Sequence, residues 1–242
     1  MSDRRASILR EMGLAPLWRL RQHNSQVADE TPTAVGSTAV TPTPATDDRV
    51  AQIAAMDWPQ LKDAVAACRA CRLCEQRKQA VLGVGDIHPD WLFVGEGPGA
   101  EEDERGEPFV GQAGKLLDNM LAAIGLKRGR KVYIANAVKC RPPANRTPEP
   151  EETASCYPYL VRQIQLLQPR LIVALGKPAA QTLLNADVKI AAARGRVFEY
   201  ATTPLIVTYH PAYLLRNLPD KAKAWEDLCF ARATLKRRSE SA

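Results

Sequence analysis

Four short apolar runs alternate with helical patterns over residues 91–209, and this alternation constrains the fold more than any other feature. Nearly unbroken apolar runs are typical of parallel strands that a sheet buries on both faces. The runs span 91–94, 132–135, 171–175 and 205–209, and the helical patterns span 112–124, 150–167 and 178–184. We therefore predict an α/β three-layer sandwich with a small parallel sheet of about four strands.

Glycine-rich or polar motifs directly follow several of the predicted strands. They are Gly95–Gly99 after the first run, Asn136 after the second and His210 after the fourth. Right-handed crossovers bring the C-terminal ends of parallel strands to one edge of the sheet, where open α/β sheets bind ligands. The sequence therefore predicts an active site at this edge.

Each motif also has an ordinary structural interpretation. The glycines of Gly95–Gly99 allow backbone N–H groups to approach a ligand closely, as in a phosphate-binding loop. The G-K-[ST] sequence of such a loop is absent, however, and an ordinary turn after a strand has the same residue types. Phe109 suits either a core staple or a stacking platform. Asn136 suits either a cap or a partner for a nucleobase edge. His210 lies at the predicted edge, where Pro211 ends the strand.

The charge distribution favours a polyanionic partner. The formal net charge is +6, and the segment 127–146 contains seven Lys or Arg residues and no acid. Neutralisation of phosphates dominates affinity for nucleic acids, although a solvated basic face has the same composition. An acidic run at Glu101–Glu104 suits either magnesium binding or simple solvation.

Cysteines predict a metal site. Cys68 and Cys71 form a C-x-x-C pair, and Cys140 and Cys156 form a second pair far along the chain. The chain has no apolar run long enough to cross a membrane and no apolar signal core after its charged N-terminus, so we expect a cytoplasmic protein. Cysteines in that compartment bind metals more often than they form disulfides. Zinc and an iron–sulfur cluster are both open.

The N-terminal fifth of the chain differs from the rest. Residues 1–22 have an amphipathic pattern that predicts a helix, and residues 23–50 are rich in Thr, Pro and Ala without periodicity, which predicts a disordered linker. The folded domain is expected at 51–238. The helix suits docking to a protein partner, contact with a membrane surface, or packing on the domain.

Together, the motifs resemble the iron–sulfur-containing family 4 uracil-DNA glycosylases. The matching segments are Cys68–Leu73, Gly95–Gly99 with Glu102, Pro108–Gly111, Asn136–Pro143, Leu175-Gly176 and His210–Arg216. They occur in the family's order over roughly residues 60–230, and the first fifty residues are not covered. The resemblance implies a uracil-DNA glycosylase-like fold and base excision repair, in which a monofunctional hydrolase flips uracil out of DNA and leaves an abasic site.

The same resemblance implies a cofactor and roles for site residues. A [4Fe–4S] cluster would be bound by Cys68, Cys71, Cys140 and Cys156. Cys74 and Cys229 would then be spare, with Cys74 as an alternative ligand to Cys68.

In the implied pocket, Phe109 would stack on the extruded uracil. Asn136 would accept a hydrogen bond from uracil N3–H and donate one to O4, and His210 would stabilise the negative charge that develops on O2. Gly95, Gly99 and Glu102 would contribute to substrate binding. The residues implied as DNA contacts are Arg141, Leu214, Leu215 and Arg216.

The residue that positions the attacking water is less clear from the resemblance. Related families have Asp or Asn in the first motif, where this chain has Gly97. The remaining candidates are Glu96, backbone carbonyls and a network through Glu102 and Asn145.

Two other functions are compatible with the residues. One is a metal-dependent nuclease that uses the acids of 101–107, and the other is a non-catalytic iron–sulfur module that binds DNA or senses redox state. A related variant that cross-links uracil needs a histidine in a basic loop, and residues 142–148 contain none. We expect a monomer that acts on uracil in single- or double-stranded DNA, associated with a bacterial nucleoid, with no membrane partner.

Overall fold

The computed structural model describes residues 45–240, with side chains at 48–238. The predicted N-terminal helix at 1–22 and residues 23–44 of the predicted linker lie outside the described residues. The linker prediction extends to residue 50, but the first described helix is Ala45–Ala55, so residues 45–50 are helical. The folded region therefore begins before the predicted start at 51.

The described residues form helices and strands that alternate as predicted. The helices are α1 (Ala45–Ala55), α2 (Trp58–Ala67), α3 (Leu73–Gln76), α4 (Ala100–Arg105), α5 (Gln112–Ala123), α6 (Pro150–Leu167), α7 (Lys177–Leu184), α8 (Ile190–Ala193), α9 (Pro211–Arg216) and α10 (Asp220–Glu240). The strands are β1 (Val84–Gly85), β2 (Trp91–Gly95), β3 (Val132–Asn136), β4 (Leu171–Leu175), β5 (Phe198–Tyr200) and β6 (Thr203–Thr208). A 3₁₀ turn covers Pro143–Asn145.

The sheet has six strands in the order β1-β3-β2-β4-β6-β5. The four central strands are parallel and correspond to the four predicted apolar runs. The two edge strands are antiparallel to their neighbours, so the sheet is mixed and has two short strands in addition to the parallel sheet of about four strands that was predicted. Both edge strands are short and are not fully buried, and they therefore lack the apolar run that marks a central strand.

Helices cover both faces of the sheet. Leu92 and Val94 of β2 belong to an apolar cluster that includes residues of α6 and α7. Trp91 and Phe93 belong to a second cluster that includes residues of α5 and α10. Successive strand residues point to opposite faces, so one strand contributes to both clusters. The predicted three-layer α/β sandwich is confirmed.

A third apolar cluster lies beside the sheet and positions the cysteines. It joins Ile53 of α1, Leu61 of α2 and Leu73 of α3 to Cys140 and Cys156. In the part of the chain that is described, no helix is long and apolar enough to cross a membrane.

Candidate active site

A cleft of about 690 Å³ lies at the C-terminal ends of the parallel strands. Glu96 follows β2, Asn136 ends β3, Gly176 follows β4 and His210 lies just beyond β6, and all of them line the cleft. The predicted site residues that line this one cleft are Glu96, Gly97, Gly99, Glu102, Phe109, Asn136, Asn145, His210 and Arg216. The structure therefore brings these residues together at the edge of the sheet where the sequence predicts a site.

Asn136 presents an unpaired oxygen in a buried position. The residue is 2% exposed, and its Oδ1 atom has no hydrogen-bond partner among the described residues. A buried acceptor without a partner costs about 1–3 kcal/mol, which a ligand N–H group would recover. Gly95 lies against it: a Cβ atom there would be 2.4 Å from Asn136 Oδ1 and 2.6 Å from Phe109 Cζ. Gly95 thus leaves room for both side chains beneath the cleft.

Phe109 is held in an unusual backbone conformation. Its φ of 56° is in the left-handed region, which costs a non-glycine residue about 1 kcal/mol or more. Arg128 Nη2 donates to the Phe109 carbonyl at 2.8 Å. Gly114 lets α5 approach closely, because a Cβ atom there would be 1.8 Å from that carbonyl oxygen. The buried ring lies 5.5 Å from the His210 ring, at an interplanar angle of 31°.

Glu102 fixes the two loops that form this part of the cleft. Its Oε1 accepts hydrogen bonds from the backbone N–H groups of Val110 (2.9 Å) and Gly111 (3.1 Å), and its Oε2 accepts from Gly99 (3.1 Å). Asp103 is buried and accepts from the Lys78 backbone N–H at 2.9 Å. Both carboxylates therefore bind backbone N–H groups and are not free to bind a cation. This argues against a metal-dependent nuclease that uses the middle residues of the acidic run.

His210 is a neutral hydrogen-bond donor at the end of β6. Its Nδ1 accepts from the Ala212 backbone N–H at 3.1 Å and caps α9, so the single proton of the neutral ring is on Nε2. Burial lowers its pKa to about 4, and the nearby Arg216 acts in the same direction. Gly176, with φ of 88°, lies beside it, because a Cβ atom there would be 2.9 Å from His210 Cβ.

Gly97 lies where a larger side chain has no room. A Cβ atom at this position would be 2.8 Å from Val138 Cγ2, so an Asp or Asn would require Val138 to move. Glu96 is partly buried beside it. Burial raises the Glu96 pKa, while a hydrogen bond with the Thr147 side chain opposes that rise.

The loop that carries Asn145, Arg146 and Thr147 is tied to α6. Arg146 makes two hydrogen bonds to the nearly buried Glu152 carboxylate, at 2.7 and 2.8 Å. Asn145 has φ of 55°, and its Oδ1 accepts from Arg141 Nε at 2.7 Å. Glu152 is one turn from Cys156 on α6, so this wall of the cleft is connected to the cysteine site.

The predicted DNA-contact residues on α9 differ in exposure. Leu214 is 1% exposed and belongs to the core, so its prediction as a DNA contact is wrong: it cannot reach DNA unless α9 detaches. Leu215 is 41% exposed, and Arg216 is exposed and lines the cleft. Leu218, at 60% exposed, is an additional apolar side chain that the sequence analysis did not identify.

Two tyrosines of the cleft are also absent from the sequence predictions. Tyr209 and Tyr213 flank the His210-Pro211 pair and stack with ring centroids 5.1 Å apart. Arg194 lies over the Tyr209 ring at 5.5 Å, and Tyr213 donates to Asp220 Oδ2 at 2.6 Å. Their proximity in sequence to the histidine at a strand end was the available signal.

Five cysteines surround a second, smaller cavity. Its volume is about 10 Å³, far below that of the cleft, and its sulfur-bearing lining is Cys68, Cys71, Cys74, Cys140 and Cys156. All six cysteines are free thiols, and Cys229 lies apart on α10. The prediction that the two distant pairs meet in space is consistent with this lining, and Cys74 joins them.

Cationic and N–H groups point at these sulfurs. Arg77 Nη1 donates to Cys140 Sγ at 2.8 Å, and the Lys139 backbone N–H donates to Cys156 Sγ at 3.2 Å. Burial raises the pKa of Cys156 to about 12, so it becomes a thiolate only if a strongly positive group binds it. No three His, Cys, Asp or Glu side chains of the described residues are grouped as ligands for a single ion.

Comparison with known proteins identifies the class of this chain. Residues 82–229 match the model of the uracil DNA glycosylase superfamily. The chain is 43% identical over 184 residues to a type-4 uracil-DNA glycosylase of Pyrobaculum aerophilum, covering 72% of this chain and 93% of the relative. It is 42% identical to a type-4 uracil-DNA glycosylase of Thermotoga maritima, covering 73% of this chain and 94% of the relative.

A third relative has the same family name. The type-4 uracil-DNA glycosylase of Archaeoglobus fulgidus is 47% identical over 159 residues, covering 62% of this chain and 79% of the relative. The chain therefore belongs to the uracil-DNA glycosylase superfamily, and within it to the type-4 family. The resemblance found in the sequence motifs is confirmed.

Proposed function

We propose that this protein hydrolyses the N-glycosidic bond of uracil in DNA and leaves an abasic site. The observation that supports this most directly is the cleft itself, which Asn136, Phe109 and the neutral His210 line together, with the Asn136 Oδ1 atom buried and without a partner among the described residues. An enzyme that acts on a base inside a duplex must extrude the nucleotide into such a pocket. The names of the type-4 relatives support the same activity.

Recognition of uracil follows from the hydrogen-bonding groups of Asn136. Its Oδ1 accepts from uracil N3–H, and its Nδ2 donates to O4. Cytosine has an acceptor at N3 and a donor at N4, so both pairs become repulsive and buried polar groups lose their partners. Phe109 provides the stacking surface for the extruded base.

Bond cleavage places negative charge on the departing uracil, and His210 stabilises it. The Nε2–H group donates to uracil O2 while Nδ1 stays bound to the backbone of α9. A neutral donor does not lose a proton to the anion as an imidazolium would, so the charge is stabilised without proton transfer. Donors fixed in a water-poor site are the strongest means of such stabilisation.

The attacking water has two protein walls to orient it. Glu96 is partly buried beside Gly97, and Asn145 lines the same cleft from the loop held by Arg146 and Glu152. The raised pKa of Glu96 suits a carboxylate that can accept a proton from water as the sugar becomes cationic. We assign water positioning to Glu96 with support from Asn145.

The cysteine cavity suits a [4Fe–4S] cluster bound by Cys68, Cys71, Cys140 and Cys156. The four thiols come from three segments of the chain and line one cavity, and the Arg77 guanidinium donates to Cys140; sulfur ligands with a cationic neighbour suit a negatively charged iron–sulfur cluster. When bound, such a cluster supplies a rigid, redox-active anchor. This chain's own contribution is to connect that anchor to the loop of Arg146 through α6.

DNA reaches the cleft past the exposed end of α9, and Leu215 is the side chain that we propose fills the gap left by the extruded base. Leu215→Ala is expected to lower kcat/KM on uracil in duplex DNA by roughly tenfold, because unstacking costs a few kcal/mol that the leucine partly recovers. On single-stranded DNA the expected effect is less than about threefold, since no gap has to be filled.

The matched control is Ile87→Ala, which removes another exposed aliphatic side chain outside the cleft. Uracil release is measured on a duplex and on a single-stranded oligonucleotide of the same sequence. For each substrate, the kcat/KM of the variant is divided by that of the parent. An equal loss on the two substrates would contradict insertion of Leu215 into the duplex.

The activity is tested with purified protein and an oligonucleotide that carries one uracil, in the presence of EDTA. We expect free uracil and a strand that breaks only after alkali, because the product is an abasic site. Strand cleavage without alkali, abolished by EDTA, would instead indicate a nuclease. Visible absorbance with about four iron atoms per chain is the expected sign of the cluster, and one zinc per chain would reject it.

A further inference from the structure

Among the described residues, Lys139 is the most deeply buried cation whose role the proposed mechanism leaves open. Its side chain is 1% exposed, although it lies in a segment rich in Lys and Arg that suggests a solvated surface. A lysine is almost never fully buried unless its ammonium group has partners, because desolvation of the charge is costly. The partners of Lys139 therefore indicate what it does.

One partner belongs to the uracil pocket. Lys139 Nζ donates to the Asn136 backbone carbonyl at 2.8 Å. Asn136 is the last residue of β3, where it is in register with Gly95 of β2. Immobilising the peptide at the end of the strand also restricts the direction of the Asn136 side chain, which lines the cleft.

The main-chain groups of Lys139 also have partners, and one of these partners is a cysteine of the second cavity. Lys139 lines that cavity, and its own backbone N–H donates to Cys156 Sγ at 3.2 Å. The Lys139 carbonyl accepts from the Val81 backbone N–H at 2.7 Å, so the main chain is held on both sides. Lys139 lines the cavity and precedes Cys140 in the chain, so a negatively charged group bound by the cysteines would compensate the charge of the buried ammonium.

We propose that Lys139 is a positioning residue that links the cysteine-bound group to the uracil pocket: the anionic cluster holds the ammonium, and the ammonium holds Asn136. This inference rests on the proposed cluster and on the proposed role of Asn136. Lys139 would then connect the cysteine site directly to the uracil pocket, and the charge of the cluster would contribute to the selection of uracil.

Two substitutions separate the hydrogen bond from the charge. Lys139→Met removes both from a side chain of similar length, whereas Lys139→Gln keeps an N–H donor and removes the charge. Lys62→Met, at an exposed position on α2, is the control for loss of a lysine charge near the cysteine side of the domain. Iron content and visible absorbance establish that each variant carries its cluster before any comparison.

The first readout is binding of an oligonucleotide with a non-hydrolysable 2′-fluoro-deoxyuridine, compared with the same strand carrying thymidine. We expect Lys139→Met to weaken uracil-analogue binding by about 10–100-fold, the range seen when a supporting contact to a site residue is lost. Thymidine-strand binding is expected to stay within twofold or so of the parent, since contacts to the phosphates are unchanged. Lys139→Gln should lie between the parent and Lys139→Met.

The second readout is the reduction potential of the bound cluster. Removing a buried positive charge next to an anionic group favours the oxidised form, so both Lys139 variants should have a more negative potential than the parent, and Lys62→Met should not. A purely structural lysine would lower thermal stability without moving both the potential and the uracil preference.

The outcomes distinguish this inference from the proposals beneath it. A parent protein that does not prefer the uracil analogue, or that carries no iron, refutes the proposed function or cofactor. A parent that behaves as proposed, with Lys139 variants that keep its preference or its potential, refutes the link. Should Lys139→Met not fold, Lys139→Gln alone decides, because it must shift the potential and weaken analogue binding.

Discussion

His210→Ala is expected to lower kcat for uracil release by about 10²–10³-fold, the usual effect of removing one donor from a developing anion. The side chain is held for this role by its surroundings, because Nδ1 is occupied by the Ala212 backbone N–H and only Nε2–H is free to face the cleft. The donor acts mainly in the transition state, so kcat should fall far more than the affinity for DNA. Single-turnover release of uracil measures this difference.

Two controls isolate the effect of the donor. His88→Ala removes the imidazole of an exposed loop histidine and should leave kcat unchanged. His210→Asn keeps a polar side chain that can cap α9, which separates loss of the cap from loss of the donor. A His210→Ala variant with parental kcat would rule out leaving-group stabilisation by this residue.

The pH dependence follows from the lowered pKa of His210. Because burial holds that pKa near 4, the ring stays neutral from pH 8 down to about pH 5, and its contribution to kcat should be constant over that range. Below about pH 5 the ring begins to gain a proton. In the unfolded chain the same histidine gains its proton below the ordinary pKa of about 6.5. The unfolded state therefore binds more protons than the folded state below that pH, and the free energy of unfolding falls as the pH is lowered.

The central sheet was predictable because burial on both faces leaves a clear record in the sequence. Each central strand is an apolar run, and β2 and β4 bury all five residues. The rule that parallel strands end at one edge then placed Asn136 and His210 together without knowledge of any side-chain contact. The edge strand Val84–Gly85 has no comparable run, and Gly85 takes a φ of 141° where a side chain would meet the backbone of Val132.

What the sequence did not predict depends on three-dimensional packing. Leu214 and Leu215 are adjacent and chemically identical, and only the orientation of α9 decides that one is in the core and the other exposed. The acids at 101–104 suggest solvation or metal binding, but Glu102 and Asp103 accept hydrogen bonds from backbone N–H groups of distant loops. Sequence spacing contains no information about such long-range partners.

The basic segment 127–146 shows the same limit most clearly. Its composition indicates a surface for phosphates, yet Arg128 binds the carbonyls of the Phe109 loop and Arg146 binds Glu152. Lys139 is buried between Asn136 and the cysteines. Several of these charges therefore shape the site from within. Arg216, outside this segment, is an exposed cation that lines the cleft, and we expect it to contact phosphates.

Asn136→Asp is expected to reduce the preference for uracil over cytosine by at least about 10²-fold, out of a discrimination of the order of 10⁴. The new carboxyl group cannot donate to uracil O4 when it is ionised. In a buried site its pKa rises, and the protonated form offers a donor to cytosine N3 and an acceptor to cytosine N4–H. Uracil release should therefore slow, while cytosine release becomes detectable.

The preference is measured as the ratio of kcat/KM for oligonucleotides that carry uracil or cytosine at one position, across pH 5–8. Cytosine release should increase as the pH falls, since only the protonated carboxyl donates. Asn185→Asp, at an exposed helix end, is the matched control and should keep the parental ratio. If Asn136→Asp also kept it, the carboxamide of Asn136 would not be the group that distinguishes uracil from cytosine, and selection would have to come from the shape of the cleft around Phe109.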